Sequence, residues 1–172
     1  MGKKSQNSSS FLPGVQSYLT EGLPGVGGIL KERPSHFKVV ERMDPVPDRG
    51  EHISLTCTRE GMTTQEVLKK LASLFSLKNK NLLGHAGLKD KEAVTTQTFS
   101  LPLGRNFPIN KVRDILEESF PELTSLEIRR RETKIRLGEL RGNYFEVLVT
   151  SLEGNPEDLF ELLEPISLRK LI

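Results

Sequence analysis

At 172 residues, with 35% hydrophobic and 28% charged side chains, the chain is long enough to bury one real core and too short for much beyond a single domain. Its 25 Lys and Arg against 23 Asp and Glu leave a net charge of +2, so bulk electrostatics neither require nor exclude a nucleic-acid partner. No apolar run approaches the roughly 20 residues of a membrane helix. The single cysteine, Cys57, excludes an intrachain disulfide, and His36, His52 and His85 lack metal-ligand spacing, so a reducing cytoplasm, no metal site and no membrane are expected.

Residues 1–28 read as a flexible tail ending in a Gly/Pro-rich loop, with order beginning at Ile29; the opening Met-Gly-Lys-Lys-Ser-Gln misses a myristoylation signal at Gln6. Short β-branched and aromatic runs at 36–41 and 53–58 flank a turn at 45–50 and predict two strands joined as a hairpin. Thr63 as N-cap with Glu66 three residues on opens a helix whose apolar stripe is Val67, Leu68, Leu71, Leu74 and Phe75. Residues 79–90 read as loop, 94–101 as a strand, and 110–119 as a second helix with Val112, Ile115 and Leu116 inward.

Strands follow at 126–131 and 134–137. Alternation in the second sets Lys134 and Arg136 on one face and Ile135 and Leu137 on the other. A turn at 138–142 leads to a return strand over 144–149. Asn155, Pro156, Glu157 and Asp158 then open a last helix ending near Pro165. The class is α+β, with a largely antiparallel sheet and packed helices.

The informative segment is Gly87-Leu88-Lys89-Asp90-Lys91-Glu92-Ala93-Val94-Thr95-Thr96-Gln97, placed in a turn just before a strand. It resembles the signature G-x-K-D-x-x-A-x-T-x-Q of the TruD family of tRNA pseudouridine synthases at every fixed position. Two further segments fit that family in the right order: 30–41, including Lys31 and Phe37, looks like its first motif, and 136–145, including Asn143 and Phe145, looks like its N-x-F motif. The likeness runs from about Gly28 to about Pro165.

The resemblance implies part of a pseudouridine synthase catalytic domain that converts uridine to pseudouridine in tRNA, the family's usual target being position 13, without a cofactor. Such an enzyme breaks the N1–C1′ bond, rotates the uracil and joins its C5 to the same ribose carbon. One ionised carboxylate suffices, as a nucleophile on sugar or base or as a base that removes a ribose proton. Asp90 takes that position, Lys89 and Lys91 put positive charge on either side of it, and Lys89 is expected to bind substrate. By motif position Lys31 is a second basic group, Phe37 and Phe145 flank the flipped base, Asn143 hydrogen-bonds near Asp90 or the base, and Gln97 positions the loop or the RNA.

Arg129, Arg130, Arg131, Lys134, Arg136 and Arg141 form a cluster with few balancing acids, read as an RNA-backbone surface or as the wet face of a hairpin. Full-length members of the family are about twice this length on a two-domain prior. The chain is therefore expected to be the N-terminal portion, at 29–172, cut before the second half, or to be completed by a second chain. The alternative function is an RNA-binding remnant without catalysis.

Overall fold

A sheet of six strands forms because the alternating segments find partners far away in the chain. The computed structural model describes residues 27–154. In chain order the strands are β1 (Ile29–Leu30), β2 (Phe37–Arg42), β3 (His52–Glu60), β4 (Gly84–His85), β5 (Val94–Leu101), β6 (Thr124–Arg131), β7 (Gly142–Val147) and β8 (Val149–Thr150). The helices are α1 (Thr64–Leu74) and α2 (Ile109–Ser119). Residues 29–150 form one unit. The main sheet runs β6-β3-β5-β2-β7, with β4 on β5, and β1 pairs only with β8.

The expected hairpin between the first two long strands does not form. β3 pairs antiparallel with β5 and β6, whereas β2 lies on the far side of β5, parallel to it, and pairs antiparallel with β7. One parallel pair thus sits within an otherwise antiparallel sheet. Along β3 the side chains of Ile53, Leu55 and Cys57 are buried on one face, opposite Phe99 and Leu101 of the neighbouring strand or next to them. α1 lays Val67, Leu68 and Leu71 on that face and α2 adds Val112 and Leu116; burying each such aliphatic side chain contributes about 1.5–3 kcal/mol. The other face is polar, and its threonines pair across the strands, Thr56 with Thr98 at 2.9 Å and Thr58 with Thr96 at 2.7 Å.

The α1 cap is as read from sequence: Thr63 accepts from the Glu66 amide, while the Glu66 carboxylate accepts from the Thr63 amide at 2.7 Å. α2 begins one residue earlier than expected and buries Val112 and Leu116, with Ile115 half-buried. Cys57 is fully buried, and burial pushes its thiol up to about 12.

Residues 134–137 do not form the expected strand. Ile135 is buried, but its amide donates to Ser100 Oγ at 2.8 Å instead of to a ladder partner, and Leu137, expected on the same face as Ile135, is 75% exposed. The segment crosses β4 so closely that a Cβ on Gly84 would lie 2.5 Å from the Ile135 carbonyl oxygen, which only glycine permits. The predicted final helix from Asn155 and the tail over 1–26 lie outside the described residues. Among the described residues no helix is long and apolar enough to cross a membrane, and no metal-binding cluster of His, Cys, Asp or Glu is present.

Candidate active site

The loop from Ala86 to Ala93 joins β4 to β5, and both of these strands are bound to the body of the sheet, so its two ends are fixed. Its interior is held by side chains. The Gly87 carbonyl accepts from Gln97 Nε2 at 2.7 Å and from His85 Nδ1 at 2.8 Å. The Lys89 amide donates to Thr64 Oγ1 at 2.9 Å, and Thr64 Oγ1 donates in turn to Gln97 Oε1 at 3.0 Å. Arg59 Nη2 also donates to Gln97 Oε1, at 2.9 Å, and Arg59 is itself buried against Phe99. Burial holds this guanidinium below its ordinary value.

Lys89, expected at the substrate, points inward instead. Its ammonium lies 2.9 Å from Glu41 Oε2, and both side chains are buried. The other Glu41 oxygen accepts from the Thr98 amide at 3.1 Å. Lys91 turns toward Glu66, at 3.6 Å. Neither flanking lysine is therefore the charge partner of Asp90, contrary to what their adjacency suggested. That partner is Lys31, whose ammonium stands 3.6 Å from Asp90 Oδ2.

Lys31 follows β1 with φ at +56°, a left-handed conformation that costs a non-glycine residue roughly 1–2 kcal/mol. Its ammonium also sits 4.0 Å from the centre of the Phe37 ring, within cation–π range. Phe37 in turn meets Phe145 across the β2–β7 pair, with ring centroids 6.0 Å apart and tilted by 48°. Asn143 stands two residues before Phe145, so it shares that face of β7, where its backbone is paired opposite Glu41. Asn143 is exposed, and among the described residues its side chain has no hydrogen-bond partner. Asp90, Lys31, Phe37 and Phe145 are thus contiguous, with Asn143 on the same sheet face; Gln97 and Lys89 lie beneath the loop and act on it from below.

The face that carries this group is the apolar face of the sheet, extended past the helices onto β2 and β7. Asp90 is 72% exposed and Lys31 36%, so their attraction is worth about 0–1 kcal/mol and yields readily to a polar ligand. Phe145 and Tyr144 are each about half exposed. The result is an accessible carboxylate beside a cation and a pair of aromatic rings, on a loop anchored through the Gly87 carbonyl and the Lys89 amide.

The six-cation cluster does not share one surface. Arg131 is buried, its guanidinium bound to the Thr133 carbonyl and to Glu139. Arg130 reaches the carbonyls of Gly104 and Phe107 and ties down the loop before α2. Arg129 pairs with Glu127 on the polar face. Only Lys134, Arg136 and Arg141 remain exposed and without a carboxylate partner among the described residues. Strand alternation explains the division, because neighbouring arginines on β6 must point to opposite faces.

Sequence reasoning gave no role to Glu41, Arg59 or Thr64. A signal was present: Glu41 is in phase with Phe37 and Val39, and Arg59 with Ile53, Leu55 and Cys57, so each is a charge on the face reserved for apolar residues.

The fold is shared with a structure described as a candidate tRNA pseudouridine synthase D from Methanosarcina mazei, at a TM-score of 0.72 and 24% identity, over 87% of this chain and 33% of that one. A family profile for tRNA pseudouridine synthase D matches residues 13–170. The chain is 36% identical over 139 residues to tRNA pseudouridine synthase D of Geobacter metallireducens, covering 80% of this chain and 33% of that protein. It is 35% identical over 160 residues to the protein of the same name in Thermus thermophilus, covering 91% of this chain and 43% of that protein. The fold is of the α+β class, and the chain belongs to the TruD family of tRNA pseudouridine synthases. It spans between a third and about two fifths of the length of these relatives.

Proposed function

We propose that this chain carries the reacting carboxylate of an enzyme that isomerises uridine to pseudouridine in tRNA, working in the cytoplasm without a cofactor, and that Asp90 is that carboxylate. The observation that supports this most is the contiguous group of Asp90, Lys31, Phe37 and Phe145 on one open face. An unstacked uracil needs an aromatic platform, and the two tilted rings offer one beside the acid. Lys31 keeps a positive charge next to the carboxylate while leaving it exposed to an incoming ribose. Asn143 supplies an amide free to hydrogen-bond the base.

Lys89 and Gln97 hold the loop rather than the RNA. With the Lys89 charge already matched by Glu41, the loop conformation is set before substrate arrives, which is the preorganisation a reacting group requires. Retention of an acid in a lysine-flanked loop favours this reading over binding alone.

The test is pseudouridine formation in a uridine-labelled tRNA transcript. The chain is assayed alone, and again joined to the part of the Thermus thermophilus relative that lies outside the matched segment. Conversion by either preparation, abolished by Asp90→Asn, supports the reading. Conversion that survives Asp90→Asn removes Asp90 from it, and no conversion by either preparation leaves RNA binding without chemistry as the better account.

A further inference from the structure

Beside the Asp90 loop is a cleft of about 460 Å³ that none of Asp90, Lys31, Phe37, Asn143 or Phe145 lines. Its walls are the first turn of α1, the segment 80–85 and the segment 134–137. Its apolar floor includes Leu68, Leu83 and Ile135, all buried. Its polar wall carries Lys80, Lys134 and Arg136, and among the described residues no carboxylate lines it. Lys80 Nζ donates to Gln65 Oε1 at 2.6 Å and Lys134 Nζ to the Asn81 carbonyl, while the Arg136 guanidinium has no hydrogen bond among the described residues. Three cations thus line one cleft, two of them bound to neutral acceptors and Arg136 near enough to Glu139 to help lower that carboxyl, a concentration of positive charge that an anion would relieve.

We propose that this cleft binds the RNA strand next to the reacting uridine, with phosphates on Lys80, Lys134 and Arg136 and an unstacked nucleotide over the apolar floor. The inference rests on the reading of the chain as an RNA-modifying protein. Volume and lining suit one nucleotide, since pockets for such ligands are mostly apolar with a few convergent polar groups. Proximity to the site comes from two connections. His85 lines the cleft and donates to the Gly87 carbonyl in the Asp90 loop, and Gln65 at the cleft edge precedes Glu66, the partner of Lys91. The close passage of residues 134–137 over Gly84 fixes two of the cations in position.

The experiment measures the affinity of the chain for a tRNA transcript across a salt series, for the native sequence, for Lys80→Gln/Lys134→Gln/Arg136→Gln, and for Arg129→Gln, whose side chain pairs with Glu127 and does not line the cleft. Removing one cation–phosphate pair lowers the log–log salt slope by roughly 0.7–0.9. The triple variant is expected to reduce the slope by about 2–3 and Arg129→Gln to leave it unchanged. Arg136→Gln alone, which breaks no hydrogen bond within the protein, is expected to lower it by about one and guards against a folding defect in the triple variant. An unchanged slope in folded triple and single variants overturns the cleft, as does absence of binding by the native chain at low salt. Pseudouridine formation is scored separately, so conversion with an unchanged slope refutes the cleft alone, and loss of both refutes the underlying reading as well.

Discussion

The ammonium of Lys89 lies 2.9 Å from a carboxylate oxygen of Glu41, with both groups removed from solvent beneath the loop that carries Asp90. Two buried charges are costly singly and tolerable only together, so the pair fixes where Lys89 can be and, through the backbone, where Asp90 points.

Breaking this pair from one side leaves an uncompensated charge. Lys89→Met is expected to cost about 3–5 kcal/mol in urea unfolding, and Glu41→Gln/Lys89→Met to recover part of that loss, because the glutamine can still accept from the Thr98 amide. Additive losses in the double variant would show that the two groups are not coupled.

Thr64 bridges the loop and the core, accepting from the Lys89 amide and donating to Gln97. Thr64→Val keeps the shape but removes these bonds and the one Thr64 Oγ1 accepts from Arg59 Nη2 at 3.2 Å, so the Lys89 amide loses its acceptor at a cost of about 1–3 kcal/mol, while Gln97 Oε1 still accepts from Arg59. Hydrogen exchange at the Lys89 amide should accelerate by more than exchange in β3, and Thr64→Ser should restore it. Equal acceleration everywhere would indicate global destabilisation without a local role for Thr64.

The helix cap contributes to the acid limb of stability, together with Glu122 and Glu139, which are also held below the ordinary carboxylate value. Hydrogen bonds from the Thr63 amide and then its hydroxyl hold Glu66 below the ordinary carboxylate value. A depressed folded-state value means that the contribution is present above the unfolded value and lost as pH falls through the folded one. Tm should therefore decline on acidification from about pH 5 toward pH 3, around the carboxylate range. Glu66→Gln should flatten that part of the decline; an identical acid limb would contradict the assignment.

Gly84 has no room for a side chain, as a Cβ would stand 2.3 Å from Ser100 Oγ and 2.5 Å from the Ile135 carbonyl oxygen. Gly84→Ala is expected to destabilise by about 1–3 kcal/mol or more, read by chemical denaturation, and to expose the Ile135 amide to exchange. A neutral substitution would mean that residues 134–137 do not cross where the structure has them.

Local pattern identified most elements and few of their partners. The period of two marked β2 and β3 correctly, but adjacency in sequence suggested a hairpin where β5 intervenes, since pairing is set by the buried faces of distant segments. The 134–137 alternation predicted a strand, yet Ser100 supplies the hydrogen bond that would have defined one. At the site, motif positions associated Asp90, Lys31, Phe37 and Phe145, and the folded chain makes the four contiguous. What motif positions could not give was charge pairing: Lys89 and Lys91 flank Asp90 in sequence, but the turn sends them to Glu41 and Glu66, and the cation that reaches Asp90 comes from beyond β1. The arginine cluster failed for the same reason, because consecutive strand residues cannot share a surface.

The most direct measurement is pseudouridine formation per molecule of RNA bound, comparing Asp90→Asn with the native residue in the preparation that converts tRNA. The variant is nearly isosteric, so RNA affinity should stay within about twofold while conversion falls by at least about 10³-fold, about 4 kcal/mol of transition-state stabilisation. Conversion within about tenfold of native at equal affinity would contradict the role given to Asp90.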